Sequence, residues 1–456
     1  MAKKKKNSVK VKVKVTVRKN PGLFIFLLIL LVIAIVIGYF YKDQIISFIN
    51  SYTGNHQTTE DDNSAIKNEG ITYDNFQVHF LELGVYETGD STYIKAGDTD
   101  ILIDAGASTA SASTIINYVN NYCTDGKLEY VITTHAHTDH YAGMFGKKEN
   151  SKNFKGETVE RTGLMYYYQI GTIIDFAYTD KTDAQLENPT SEINNYYNAV
   201  KYAESKGAIH YTAAQCFNET DGAKKTYVLD STYNITMDIL YNKYYFEKAS
   251  DENDHSVCTM FNYNDHHFLL TGDLEHEGEE ALAAYYDKST PEKTLPHVQL
   301  FKAGHHGSKT SSNDCLLDLI TPEICTVCCC AGSSEYTNIN DTTFPTQEFI
   351  DRIAKHTDQV YVTSMIDSKA SREAGEQIFK SLNGNIIISS DGTQIGIAAS
   401  NNLTKLKDSE WFNEIIAVKV DDKNRNLICS GTKKKDYYLS TDEGIIMVPR
   451  RTWPTN

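Results

Sequence analysis

The sequence predicts an α/β fold carried behind a single N-terminal transmembrane helix. Three observations point there. Leu23 to Tyr41 is almost wholly apolar over about 19 residues and follows a basic leader. From Phe76 onward, short β-branched and aromatic runs alternate with stretches at helical spacing. A loop dense in histidine, Thr134 to Gly143, leaves the end of one such run.

Residues 1–22 hold nine lysines and arginines and no acid, and read as a basic cytoplasmic segment. An apolar helix over 23–41 is long enough to cross a roughly 30 Å hydrocarbon layer. The positive cluster before it holds the N-terminus in the cytoplasm and sends the body outside, so the expected location is the cell membrane, single-pass. The run lacks a clear small-x-small cleavage site, which favours a retained anchor over a cleaved signal peptide. Residues 42–70 are polar and unpatterned and read as a flexible linker.

The formal charge of the whole chain is -16, and the body without its basic leader is more acidic still. Such a body repels polyanions unless a basic groove or bound cations compensate, so charge does not support nucleic acid as a partner. Nine cysteines, an odd number in a long chain, do not read as a disulfide framework. Cys325 and Cys328 have a Cys-x-x-Cys spacing that could bind zinc, but the run through Cys329 and Cys330 reads better as a buried strand using cysteine as a small apolar residue.

From residue 71 to 400 the pattern is that of one domain. Phe76 to Leu83 reads as its first strand, with Ser91 to Lys95 and Asp100 to Ile103 as the next two. Ile115, Ile116, Val119 and Tyr122 fall at helical spacing, and Tyr130 to Thr133 is a buried strand before the histidine loop. A helix is expected from Thr190 to Lys206 and a strand from Gly207 to Tyr211, within a stretch rich in tyrosine. Those tyrosines could stack on a ligand, but packing is the plainer reading. Ser256 to Tyr263 and His267 to Leu270 form a hairpin, followed by a helix over Glu275 to Tyr286 and a strand over Val298 to Lys302. Residues 401–456 read as a C-terminal β-rich appendage without a motif.

The chemistry gathers at His135-Ala136-His137-Thr138-Asp139-His140. Three imidazoles and a carboxylate within six residues can all be turned to one point by a loop, whereas a helix would splay them. That donor mixture suits zinc, iron or manganese. Further along, Asp273 ends a strand beside Gly272, where a carboxylate is well placed to bridge two cations, and His305-His306 lies between Gly304 and Gly307. Asp90 in Gly89-Asp90-Ser91 and Asp104 in Asp104-Ala105-Gly106 stand where turn chemistry alone would also place an aspartate.

His-x-His-x-Asp-His after a buried strand, then Asn253 to Val257, Phe268 to Asp273 and Lys302 to Ser308 in that order, resembles the metallo-β-lactamase fold. Within it the set is most similar to the hydrolase domain of ComEC-type DNA-uptake proteins. The resemblance runs from about Phe76 to Ala398 and implies an αββα sandwich over residues 71–400. It also implies two divalent metal ions, zinc first, with manganese or iron as alternatives. By that resemblance His135 and His137 hold one ion, Asp139, His140 and His305 the other, and Asp273 bridges them. The usual third histidine of the first ion has no glycine-rich turn here, which leaves His255, Asn253 or water. Asp139 and His306 take catalytic roles, and Lys302 and Ser308 contact substrate.

The expected activity is that of a membrane-anchored, outward-facing hydrolase in which paired cations ionise a water near neutral pH. Its first-choice substrate is a phosphodiester, as for a nuclease or phosphodiesterase. A cell-wall or lipid phosphoester such as phosphorylcholine is the alternative, and a non-catalytic binding module that retains the fold is a third. The expected partners are the lipid bilayer and the phosphoester. The oligomeric state is left open.

Overall fold

The computed structural model describes residues 66–83, 89–286, 294–333, 343–419, 438–440 and 445–454. The basic leader, the apolar stretch 23–41 and nearly all of the linker lie outside these residues. Among the described residues no helix is long and apolar enough to cross a membrane. Residues 63–456 form one compact unit.

Two sheets face each other. The first has nine strands, in the order Ile66–Glu69, Ile395–Ala399, Ile386–Ser390, Phe76–Phe80, Thr92–Ala96, Thr99–Ile103, Lys127–Ile132, Gln169–Asp175 and Ile209–Thr212. The second has eight: Thr226–Asp230, Ile235–Ile239, Thr259–Tyr263, His266–Leu270, Leu300–Lys302, Ile324–Ala331, Val360–Ile366 and Phe379–Ser381. Phe76, Val78, Ile94, Ile101 and Ile132 from one meet Phe261, Phe268, Leu270, Leu300 and Ile324 from the other in a fully buried core. Alternation along each strand supplies this face and an opposite apolar face at once.

Helices cover the outer faces. Ser111–Val119, Thr138–Phe145 and Glu192–Ser205 pack on Leu102, Leu128, Val131 and Ile173 of the first sheet. The last of them is capped by the Ser191 side chain and buries Ile193, Tyr196, Ala199, Val200 and Ala203, the stripe that 3.6-residue spacing produces. Asp314–Ile320 and Gln347–Ile353 do the same for Leu269, Phe301, Val327 and Val362 of the second sheet. The result is the αββα sandwich.

Tyr166, Tyr168 and Tyr196 are buried in the outer layer, and Tyr202 stacks on Tyr166 with ring centres 4.2 Å apart. The tyrosine-rich stretch is therefore packing. The four cysteines of Ile324–Ala331 are buried in the strand: Cys328 faces the inter-sheet core, while Cys325 and Cys329 face the outer layer. Residues beyond 401 hold a three-stranded sheet, Ile415–Lys419, Ile445–Pro449 and Tyr438–Ser440. Leu406, Trp411 and Phe412, just before it, are buried in the outer layer of the second sheet.

Thr99–Ile103, Lys127–Ile132 and Gln169–Asp175 run parallel, and so do His266–Leu270, Leu300–Lys302 and Ile324–Ala331. The loops after their carboxyl ends meet at one edge of the sandwich, the place where open α/β sheets present ligand sites.

Candidate metal centre

The histidine loop leaves Lys127–Ile132 and enters the helix Thr138–Phe145, which places Asp139 and His140 in its first turn. Asp104, at the end of the strand Thr99–Ile103 with φ 58°, accepts from the Thr134 amide and hydroxyl and from His140 Nδ1, each at 2.8 Å. With Nδ1–H committed to a carboxylate, His140 presents Nε2 toward the site. That atom lies 3.2 Å from Asp273 Oδ2 and 3.8 Å from Asp139 Oδ2.

Asp273 arrives from the opposite sheet. Gly272 before it has φ 57°, and a Cβ there would lie 2.8 Å from Ser256 Oγ and 2.9 Å from Thr134 Cβ. Only glycine lets the chain pass that close. The Asp273 amide then donates to Ser256 Oγ at 3.1 Å.

His305 and His306 both have left-handed backbones, φ 44° and 54°, inside Gly304–Gly307. Their side chains diverge. His306 sets Nδ1 2.9 Å from the Cys328 carbonyl oxygen and 3.3 Å from Asp90 Oδ1, and Nε2 3.2 Å from Asp139 Oδ2 and 3.4 Å from Asp273 Oδ2. His305 instead places Nδ1 3.0 Å from Glu275 Oε1 and 3.3 Å from Thr310 Oγ1. One ligand atom from each of Asp139, His140, Asp273 and His306 lies within 4.8 Å of the other three. The geometry thus puts His306 where the sequence reading puts His305.

His135 Nε2 and His137 Nδ1 lie 3.0 Å apart, and the His135 and His140 rings are 4.2 Å from centre to centre, so this pair stands beside the four-residue cluster. His255 is not brought to it. The His255 Nε2 atom accepts from the Ala249 amide at 3.0 Å, and Nδ1 faces Glu252 at 3.6 Å. Lys302 is also not at a substrate-facing surface: it is buried in an ion pair with Asp90, because Leu300–Lys302 is an inner strand whose every residue is covered. Ser308 Oγ is turned into its own loop, 2.7 Å from Thr310 Oγ1.

Burial opposes charge throughout the cluster, and the neighbours overrule it. Asp273, Asp104 and Asp139 hold the His140 pKa well above the usual imidazole value, and Asp273 and Asp90 do so for His306. In return His140 and His306 hold Asp139 and Asp273 below the usual carboxylate range. His135 is pushed well down, by burial first and by His140 next, so it is neutral and ready to donate a lone pair.

The donors fit a divalent transition ion. Asp273 Oδ1 and Asn253 Oδ1 are buried without a hydrogen-bond partner, which native interiors avoid unless something else completes them. Imidazole with carboxylate is the donor set for zinc, manganese or iron.

Several supporting residues carry little or no sequence signal. Asp90 and Asp104 stand in what look like turns. Glu252 accepts from the Ala136 amide at 3.0 Å and from Thr179 Oγ1 at 2.8 Å, tying the histidine loop to the next strand's exit, and nothing local marks it.

Residues 86–153 match the Metallo-beta-lactamase superfamily model. Recombination protein 2 of Haemophilus influenzae is 33% identical over 73 residues, 16% of this chain and 8% of that protein. Competence protein ComA of Neisseria gonorrhoeae is 34% identical over 88 residues, 19% of this chain and 11% of its own length. The matched stretch therefore spans about a tenth of these relatives or less. Among solved structures, a probable metal-dependent hydrolase from Staphylococcus aureus is similar over 73% of this chain and 100% of that one, at 12% identity and a TM-score of 0.28. CmlA, a diiron beta-hydroxylase from Streptomyces venezuelae, is similar over 56% of this chain and 45% of that one, at 11% identity and a TM-score of 0.30. Over residues 86–153 the chain is thus similar to the metallo-beta-lactamase superfamily, and over a short stretch to a recombination protein and a competence protein.

Proposed function

We propose that the protein is a binuclear metal-dependent phosphodiesterase, anchored to the membrane by residues 23–41 with its hydrolase domain outside. The observation that carries the hydrolase reading is the convergence of Asp139, His140, Asp273 and His306 from both sheets on one point. In this reading His135 Nε2 and His137 Nδ1 would hold one ion. Asp139, His140 and His306 would hold the other, with Asp273 at the same point as a further carboxylate donor. Bound there, two divalent ions would supply Lewis acidity and lower the pKa of water to near neutrality.

The chain's own residues do the rest. Asp104 fixes the ring plane of His140, the Cys328 carbonyl oxygen fixes that of His306 with the Asp90 carboxylate beside it, and Glu252 holds the backbone between His135 and His137. The reaction proposed is hydrolysis by single displacement: a water oxygen bonds to phosphorus as the ester P–O bond breaks, and the leaving alcohol departs with a proton from that water.

Partial likeness to a recombination protein and a competence protein favours a nucleic-acid diester. The acidic body favours the second reading, a small phosphoester such as phosphorylcholine. Elemental analysis of the metal-loaded protein is expected to find about two transition ions per chain, and one or none would overturn the binuclear centre. Cleavage of single-stranded DNA and of phosphorylcholine esters, compared under the same metal, decides the substrate class.

A further inference from the structure

Behind Asp104 and His140 lies a small buried cavity between the sheets, lined by Asp90, Thr92, Asp104, Thr134, Thr259 and Lys302 among others. Side-chain oxygens and one ammonium share the lining with the apolar Ile103, Val257 and Leu270. Lys302 Nζ is ion-paired with Asp90 Oδ2 and lies 3.3 Å from the Ala303 carbonyl oxygen. The other Asp90 oxygen faces His306 Nδ1 at 3.3 Å. One atom each of Asp90, Asp104 and His140 lies within 4.8 Å of the others, with Asp104 already accepting from Thr134 and His140, and Thr259 Oγ1, buried at this wall, has no hydrogen-bond partner. Two carboxylates with hydroxyl oxygens make an environment for a hard cation. The chain fills it with its own.

We propose that Lys302 is a positioning residue whose ammonium permanently occupies an interior cation site, pinning Asp90 and, through Asp90, the ring of His306. The proposal rests on the binuclear reading and adds a third, covalently tethered positive charge behind the two ions. It explains why a lysine can be buried at an inner strand: Asp90 and the ammonium are each costly alone and compensate one another. It also explains why the centre takes two ions although its shell holds four buried or nearly buried aspartates, Asp90, Asp104, Asp139 and Asp273.

Replacing the ammonium by an apolar group of similar length removes the charge and leaves the Asp90 carboxylate without its cation. The test counts Mn2+ bound to the full chain in detergent, by elemental analysis and by electron paramagnetic resonance. Lys302→Met is expected to bind one more Mn2+ per chain than the unmodified protein, and the double variant Asp90→Asn/Lys302→Met to return to the unmodified count. A role in packing alone would not raise the count and then lower it. An unchanged count in folded Lys302→Met overturns the proposal and leaves the binuclear reading standing; an unmodified protein with fewer than two ions sinks that reading, while the difference between variants still judges Lys302. If Lys302→Met folds only when Mn2+ is added, the proposal is supported. If it stays unfolded in Mn2+, or if the double variant also fails to fold, the proposal is overturned.

Discussion

Nε2 of His306 stands 3.2 Å from Oδ2 of Asp139, across 167 residues of chain. This contact joins the two sheets at the metal centre, and the adjacent His305 takes no part in it. His306→Ala is therefore expected to lower bis-nitrophenyl phosphate hydrolysis by at least about 100-fold and to lose one bound ion. His305→Ala should keep both ions. Elemental analysis of the two variants side by side checks the assignment, and loss of an ion from His305→Ala alone would reverse it.

Asp104 is buried behind His140 and accepts from His140 Nδ1 and from the Thr134 amide and hydroxyl. Asp104→Asn puts an amide where His140 needs an acceptor. Metal affinity should fall by about 10- to 100-fold with the fold retained. Calorimetric titration with Zn2+ measures it.

Gly272→Ala meets two obstacles, a left-handed backbone and a Cβ 2.8 Å from Ser256 Oγ. Thermal unfolding should show a loss of more than about 1 kcal/mol. Because Asp273 is the next residue, the variant should also bind metal more weakly.

Glu279 is fully buried and accepts from the Ser312 amide at 2.7 Å and from the Asn313 amide and side chain at 2.8 and 2.7 Å. Burial pushes its carboxyl up to about 7, against these hydrogen bonds and the Arg352 charge. Between the unfolded value near 4.5 and about 7, the folded protein keeps a proton that the unfolded chain has released. This contribution to stability is full below about 4.5 and is lost as pH rises through about 7, amounting to about 3 kcal/mol. Chemical denaturation of the metal-free protein and of Glu279→Gln across that range should show the slope in the first and not the second.

Much of this was readable in advance, for reasons that differ by residue. The register of His135, His137, Asp139 and His140 needs only a strand exit and a tight loop, and local sequence specifies both. The α/β class follows from strands alternating with one-sided helices, whereas the αββα sandwich came with the resemblance that the histidine loop and the later motifs carry. The choice between His305 and His306 was not readable, because it depends on two successive left-handed residues that aim neighbouring rings apart. Lys302 was expected to contact substrate; its burial follows from Leu300–Lys302 lying between two other strands, a fact of sheet order that no local pattern carries. Asp90 and Asp104 were hidden by their resemblance to turn residues, since glycine neighbours make both readings look alike.

Arg451, buried near the end of the chain, donates to the carbonyl oxygens of Pro345 and Thr343, and the neighbouring Thr346 amide donates to the Gly307 oxygen at 2.9 Å. Arg451 thus braces the segment that holds the Gly304–Gly307 turn carrying His306. A chain trimmed at residue 400 would retain every metal-binding side chain named above and still grip its ions loosely, so tail length and ion retention should vary together in a deletion series.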